Sequence, residues 1–182
     1  MKTQIIEAIK TVILEFQDNP YAFLYEEDIR ATLFYEIRKR ISGEIEVAGR
    51  GNPEQKYRLR GVYCEYGKKI DIACLKMDSQ IDPKPHRGQD TFIYNIPVEI
   101  GIELKYRKIG DNFTVQESIK DYDKLKGIDV TNCLAIAFVQ NDKELPDFLG
   151  SVASTHAEWL PYTKNLDGIF VVTKNELRKI TN

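Results

Sequence analysis

The chain has 182 residues, of which 42% are hydrophobic, 10% aromatic and 30% charged, enough apolar surface for a core and too much for a disordered chain. The length suits one domain covering residues 1–182. Its 26 basic and 28 acidic residues leave a net charge of -2, so a grip on a polyanion would have to come from local basic surface.

Ile5, Ile6, Ile9, Val12, Ile13 and Phe16 recur at three- and four-residue steps and predict an N-terminal amphipathic helix over 3–17, stopped by Asp18-Asn19-Pro20. Ile29, Leu33, Ile37 and Ile41 form the stripe of a second helix over about 26–41, closed by Ser42-Gly43. A polar, Gly- and Pro-containing loop follows over 49–55. Residues 57–66 and 69–76 are β-rich runs around Gly67 and read as a hairpin. After a polar stretch over 78–95, a third strand is predicted over 97–106, where Val98, Ile100, Ile102 and Leu104 alternate with Glu99, Gly101, Glu103 and Lys105. One face of that strand is core and the other chemistry or water.

Thr114-Val115-Gln116-Glu117 has the pattern of a capping box, opening a helix that ends at Gly127. Residues 133–139 and 168–173 are continuous apolar runs, as in strands buried on both faces. Trp159, Pro161 and Tyr162 suggest a surface segment or short helix between them, and the tail over 174–180 is read as a terminal helix. The fold class is therefore α/β, a central mixed β-sheet flanked by helices.

Other chemistries leave no trace. Cys64, Cys74 and Cys133 are odd in number and widely spaced, which predicts buried thiols in a reducing cytoplasm rather than a disulfide frame. Glu7 and Glu15 interrupt the apolar N-terminus, so neither a leader nor a membrane span is predicted. Two histidines without a Cys-x-x-Cys argue against a zinc finger or zinc protease site. The phosphate loop, the GxSxG elbow and the full dinucleotide fingerprint are missing.

Glu103-Leu104-Lys105 attracts notice, yet 28 acids and 17 lysines supply about three such acid-x-Lys tripeptides by chance, and those headed by Glu54 and Asp82 fall in loops. Only the copy at Glu103 lies on a strand with an apolar opposite face. Asp71, between Ile70 and Ile72, points away from its own apolar neighbours. If the two strands pair, Asp71 and Glu103 share a polar face. Two close carboxylates repel unless a cation lies between them, and hard oxygen donors suit Mg²⁺, with Mn²⁺ as a substitute. Such an ion could activate water against a phosphodiester while Lys105 orients the nucleophile or offsets transition-state charge.

These residues resemble the PD-(D/E)XK, or restriction-endonuclease-like, nuclease superfamily over roughly residues 24–140. Asp71 matches the first motif, with Ile70 where the family has Pro, and Glu103 with Lys105 matches the second. The resemblance implies a restriction-endonuclease-like core and a metal-dependent nuclease, most simply a Mg²⁺-dependent DNA endonuclease of restriction, defence, repair or mobile-element processing. It also implies an acid on the first core helix, for which Glu26 is preferred to Glu27 because it joins the sheet-facing stripe, and a phosphate contact from Gln116 or Lys120 on the next helix.

Arg58 with Arg60, Lys69, and Lys105 with Arg107 gather near the same strands and are further candidates for nucleic-acid contact. Lys84, His86 and Arg87 in the 78–95 insertion could touch a backbone or form a solvated loop. Cutting both strands of a duplex would call for a homodimer or a partner protein. The alternative reading is a non-catalytic nuclease-fold subunit that binds or assembles a nucleic-acid complex, which the near-neutral charge favours.

Overall fold

The computed structural model describes residues 1–48, 54, 56–67, 70–76, 96–128, 130–158 and 166–181. The 78–95 insertion, Lys69 and the segment with Trp159, Pro161 and Tyr162 lie outside the described residues.

Helices α1 (Lys2–Asp18) and α2 (Glu26–Arg40) form where the apolar periodicity places them. Ile5, Ile9, Val12 and Phe16 of α1 and Ile29, Leu33 and Ile37 of α2 are buried in one cluster. Between the helices, the Asp28 carboxylate accepts from the Leu24 and Tyr25 backbone N–H groups at 2.9 and 3.0 Å, satisfying two donors at the start of α2.

The expected 57–66 strand is two strands. β1 (Glu44–Ala48) and β2 (Lys56–Arg60) form a separate antiparallel ribbon, and the chain bends at Gly61 into β3 (Val62–Tyr66). The hairpin across Gly67 is present, but it joins β3 to β4 (Ile70–Leu75). Gly67 has φ +58°, a backbone region that glycine enters without steric cost.

A seven-stranded mixed sheet forms the centre, in the order β3-β4-β5-β6-β8-β9-β7. Its remaining strands are β5 (Val98–Arg107), β6 (Val130–Val139), β7 (Ser154–His156), β8 (Gly168–Val172) and β9 (Leu177–Ile180). β3, β4 and β5 are antiparallel, β5, β6 and β8 are parallel, and β9 and β7 close the far edge antiparallel. The tail is thus a strand rather than a helix. Thr173 closes a turn by accepting on Oγ1 from Asn175 and Glu176 and donating its N–H to Glu176, which sends 177–180 back along β8, where its backbone groups find partners.

One face of the sheet, carrying Ile72, Ile100, Ile102, Leu104, Leu134, Ile136, Phe138 and Phe170, packs with α1 and α2. The other face packs with α3 (Val115–Lys126) and the short α4 (Leu145–Leu149) through small residues such as Ala73, Ala135 and Ala137. Both faces of β6 and β8 are buried, as their continuous apolar runs require. The thiols of Cys74 and Cys133 are buried, whereas Cys64 on edge strand β3 is exposed, a departure from the expectation of three buried thiols. Among the described residues no helix is long and apolar enough to cross a membrane.

Close approach of α3 depends on Gly101, where a Cβ would lie 3.0 Å from a Val130 methyl and 3.1 Å from a Leu125 methyl. Gly101→Val should destabilise the fold by about 1–3 kcal/mol through overpacking, read as a lower urea midpoint with an unchanged slope. An unaltered midpoint would contradict this packing.

Candidate functional site

The β4–β5 ladder is regular from Cys74↔Ile100 to Ile72↔Ile102. One residue further on stand Asp71 and Glu103, where the Asp71 carboxylate stands in for the partner strand and its Oδ2 accepts from the Leu104 backbone N–H at 2.8 Å. Its Oδ1 accepts from Arg30 Nη1 at 3.2 Å, and the same guanidinium pairs with Glu65. Asp71 is 8% exposed and Glu103 3%.

Glu103 and Lys105 are two residues apart on β5 and share the pleat face under α3. Lys124 Nζ lies 2.8 Å from Glu103, and Lys105 Nζ lies 2.9 Å from Asp121 and 4.0 Å from Glu26. Asp121 and Lys124 are one helical turn apart and themselves 4.0 Å apart. From the other side, the first residue of α2 delivers Glu26, whose Oε2 accepts from the Tyr106 N–H at 3.2 Å. Asp71, Glu103, Lys105 and Glu26 are therefore brought together around the parted ends of β4 and β5. Glu27 is 70% exposed on its side chain and faces Arg30 at 3.9 Å.

The electrostatics follow from burial. Desolvation pushes the Glu103 carboxyl up to about 7, Asp71 and Asp121 push the same way, and Lys124 opposes them. Glu26 is raised by burial and by Asp71 and Glu27, against Lys105 and the Tyr106 N–H. Burial would lower Lys105, but Asp121, Glu26 and Asp71 outweigh it and hold the ammonium above its ordinary range. Four acids, Glu26, Asp71, Glu103 and Asp121, meet three cations, Arg30, Lys105 and Lys124, in the half-buried cluster. An added cation would relieve that surplus.

Among the described residues no set of three or more His, Cys, Asp or Glu side chains is arranged as a metal cage. Asp71 and Glu103 offer carboxylate oxygens, the donor type that Mg²⁺ takes one or two at a time, and here each faces a side-chain cation, Arg30 and Lys124.

The remaining candidates are placed elsewhere. Gln116 and Lys120 lie exposed on α3, with Lys120 bound to Glu117 at 2.7 Å; Glu117 thus serves Lys120, while Thr114 caps the helix by accepting from the Gln116 N–H. Arg58 and Arg60 are exposed on the β1–β2 ribbon opposite Glu46 and Glu44. Arg107 is 8% exposed, donates to the Phe113 carbonyl at 2.9 Å, pairs with Glu144 at 3.3 Å and packs against the Phe148 ring, so its guanidinium fastens the fold. Glu99 pairs with Lys2 and accepts from Asn132.

Sequence reasoning missed Arg30, Asp121 and Lys124. A signal existed for one of them: Asp121 falls within the stripe of Ser118, Tyr122 and Leu125, whose members are buried on α3, and an acid in a sheet-facing stripe demands a partner. Comparison of the chain with protein-family models, curated proteins and solved structures finds no match.

A carboxyl harder to ionise in the folded than in the unfolded chain stabilises the fold while it is protonated. That stabilisation is complete below its ordinary value of 4.5 and is lost as pH rises through about 7. Unfolding measured from pH 5 to pH 8.5 without divalent cations should show the parent losing on the order of 2–3 kcal/mol relative to Glu103→Gln. Parallel profiles for the two proteins would contradict the placement of Glu103.

Proposed function

We propose that the chain is a metal-dependent nuclease of restriction-endonuclease-like architecture that hydrolyses phosphodiester bonds of nucleic acid, with DNA as the expected substrate. The observation that carries the reading is the juxtaposition of Asp71 and Glu103 at the parted strand ends, with Lys105 two residues on. Asp71 and Glu103 would hold Mg²⁺ or Mn²⁺ through carboxylate oxygens. Bound there, the ion would supply Lewis-acid activation of the phosphodiester and an acidified water.

The chain's own residues do the rest. The Leu104 N–H fixes one oxygen of Asp71, leaving Oδ1, which Arg30 satisfies in the free protein, as the one to turn to a cation. Lys124 stands beside Glu103 as its ion-pair partner. Lys105 keeps its proton, since its neighbours stabilise the ammonium, so it acts by donating a hydrogen bond and by charge rather than as a base. Glu26 and Asp121 aim Lys105 from either side, a positioning role. Glu103 is half protonated near pH 7, and activity at limiting metal should rise with pH through that value as the ligand ionises.

A second reading has its own support. Arg30 and Lys124 already neutralise Asp71 and Glu103, as they would in a non-catalytic subunit that uses the fold for assembly.

Incubation with supercoiled plasmid, linear duplex and single strands separates the two. The nuclease reading predicts cleavage in Mg²⁺ or Mn²⁺, none in EDTA, and a loss of about 100-fold or more in Asp71→Ala and in Lys105→Ala. Cleavage undiminished in both variants would overturn the assignment, and a parent inert on every substrate would favour the assembly subunit.

A further inference from the structure

Beside the carboxylate cluster the chain presents four large apolar side chains to solvent: Tyr21 is 60% exposed, Leu24 62%, Tyr25 59% and Ile109 54%. Scattered apolar residues on a surface need no explanation, but a group carried by two adjoining turns at the edge of a charged site does. The two turns adjoin because the end of β5 is tied to the start of α2. Tyr106 Oη donates to the Phe23 carbonyl at 2.8 Å, and Lys108 Nζ lies 4.9 Å from the centre of the Tyr25 ring.

The outward orientation is built in. Phe23 is buried against Phe16, ring centres 6.0 Å apart. Asn19 accepts from the Tyr21 N–H and Asp28 from those of Leu24 and Tyr25, so this segment is fixed with Phe23 inside and its neighbours outside. The turn carrying Ile109 is fixed as well: Asp111 accepts from the Lys108 N–H at 2.9 Å, Gln140 from that of Ile109, and Gly110 takes φ +87°. Rigid aromatic surface of this kind binds without a large ordering cost.

Tyr25 is the residue before Glu26, and Lys108 is three residues beyond Lys105, just past the end of β5, a span of at most about 10 Å. At about 3.4 Å per stacked nucleotide, the rim lies within a few nucleotides of a phosphate placed beside Lys105 at the carboxylate site. Aromatic faces beside a lysine are what unpaired bases with their phosphates require, whereas bases within a continuous duplex show no free face.

We propose that Tyr21, Leu24, Tyr25 and Ile109 form a stacking platform for the unpaired bases next to the scissile phosphate, so that the substrate class is single-stranded or locally unpaired nucleic acid. This rests on the phosphodiester reading of the carboxylate site. Lys108 meets a phosphate of the same strand and backs the Tyr25 ring.

The test is fluorescence anisotropy on the full chain, in EDTA and in Ca²⁺, with a labelled single strand, a strand of the same length made abasic but with the same phosphates, and a continuous duplex. The intact strand should bind more tightly than the abasic strand by about 5- to 100-fold, and more tightly than the duplex. Tyr25→Ala should remove most of the difference and Tyr25→Trp keep it. Leu24→Ser provides a second variant should Tyr25→Ala fail to fold by circular dichroism. Equal binding of intact and abasic strands, preference for duplex, or variants that match the parent would overturn the platform. If duplex plasmid is nonetheless cleaved in a metal-dependent way, the nuclease reading stands and the platform alone falls. If the parent neither binds nor cleaves any nucleic acid, both fall, and a protein partner lost in Tyr25→Ala becomes the occupant.

Discussion

Everything at the site depends on one hydrogen bond, that from the Leu104 N–H to Asp71 Oδ2. A backbone donor inside a sheet must be satisfied, and here a side chain does what the neighbouring strand does elsewhere. β4 and β5 can therefore part after Ile72↔Ile102 without leaving a buried donor unpaired. The parting makes room for Glu103 and Lys105 on one face and admits the start of α2 with Glu26. The regular ladder behind it, with Ile72, Ile100 and Ile102 fully buried under α1 and α2, keeps the opening from spreading.

The charges in that opening are costly to hold. Burial alone would neutralise Glu103, and Lys124 returns only part of the lost solvation. A fold selected for stability alone would fill the space with apolar side chains; acids kept here at a desolvation cost that Arg30 and Lys124 only partly offset are what a site for a cation and a phosphate would need. Arg30 and Lys124 then have a double role. They hold Asp71 and Glu103 in place in the free protein, and under the proposed function they would, once displaced by the ion, become available to the phosphates of the substrate.

Much of the frame was legible from periodicity. α1 and α2 begin and end within a residue or so of their apolar stripes, α3 starts at the Thr114 cap, and β5 follows its alternation. What was misread has physical reasons. In 177–180, Leu177 and Ile180 are both buried, and their three-residue spacing imitates a helix; the turn at Thr173 decides for a strand. β1 is short and, among the described residues, pairs with β2 alone, so the alternation of Ile45 and Val47 with glutamates is too brief to predict an element between the second helix and the 49–55 loop. Within the site, Asp71, Glu103 and Lys105 could be placed because strand alternation fixes which way they face. Arg30, Asp121 and Lys124 arrive from helices whose docking is set by tertiary packing, and Arg107, which reads as a surface base, is drawn inward by Glu144 and Phe148.

The central claim is that the acids at the parted strands take up a divalent cation, and calorimetric titration with Mn²⁺ tests it most directly. In buffers of different ionisation enthalpy at pH 7, the account predicts one binding event that releases about half a proton, because a Glu103 carboxyl near 7 must ionise to bind metal. The release should vanish by pH 9, and binding should be lost in Asp71→Ala. Absence of binding, or the same binding in Asp71→Ala, would contradict the account.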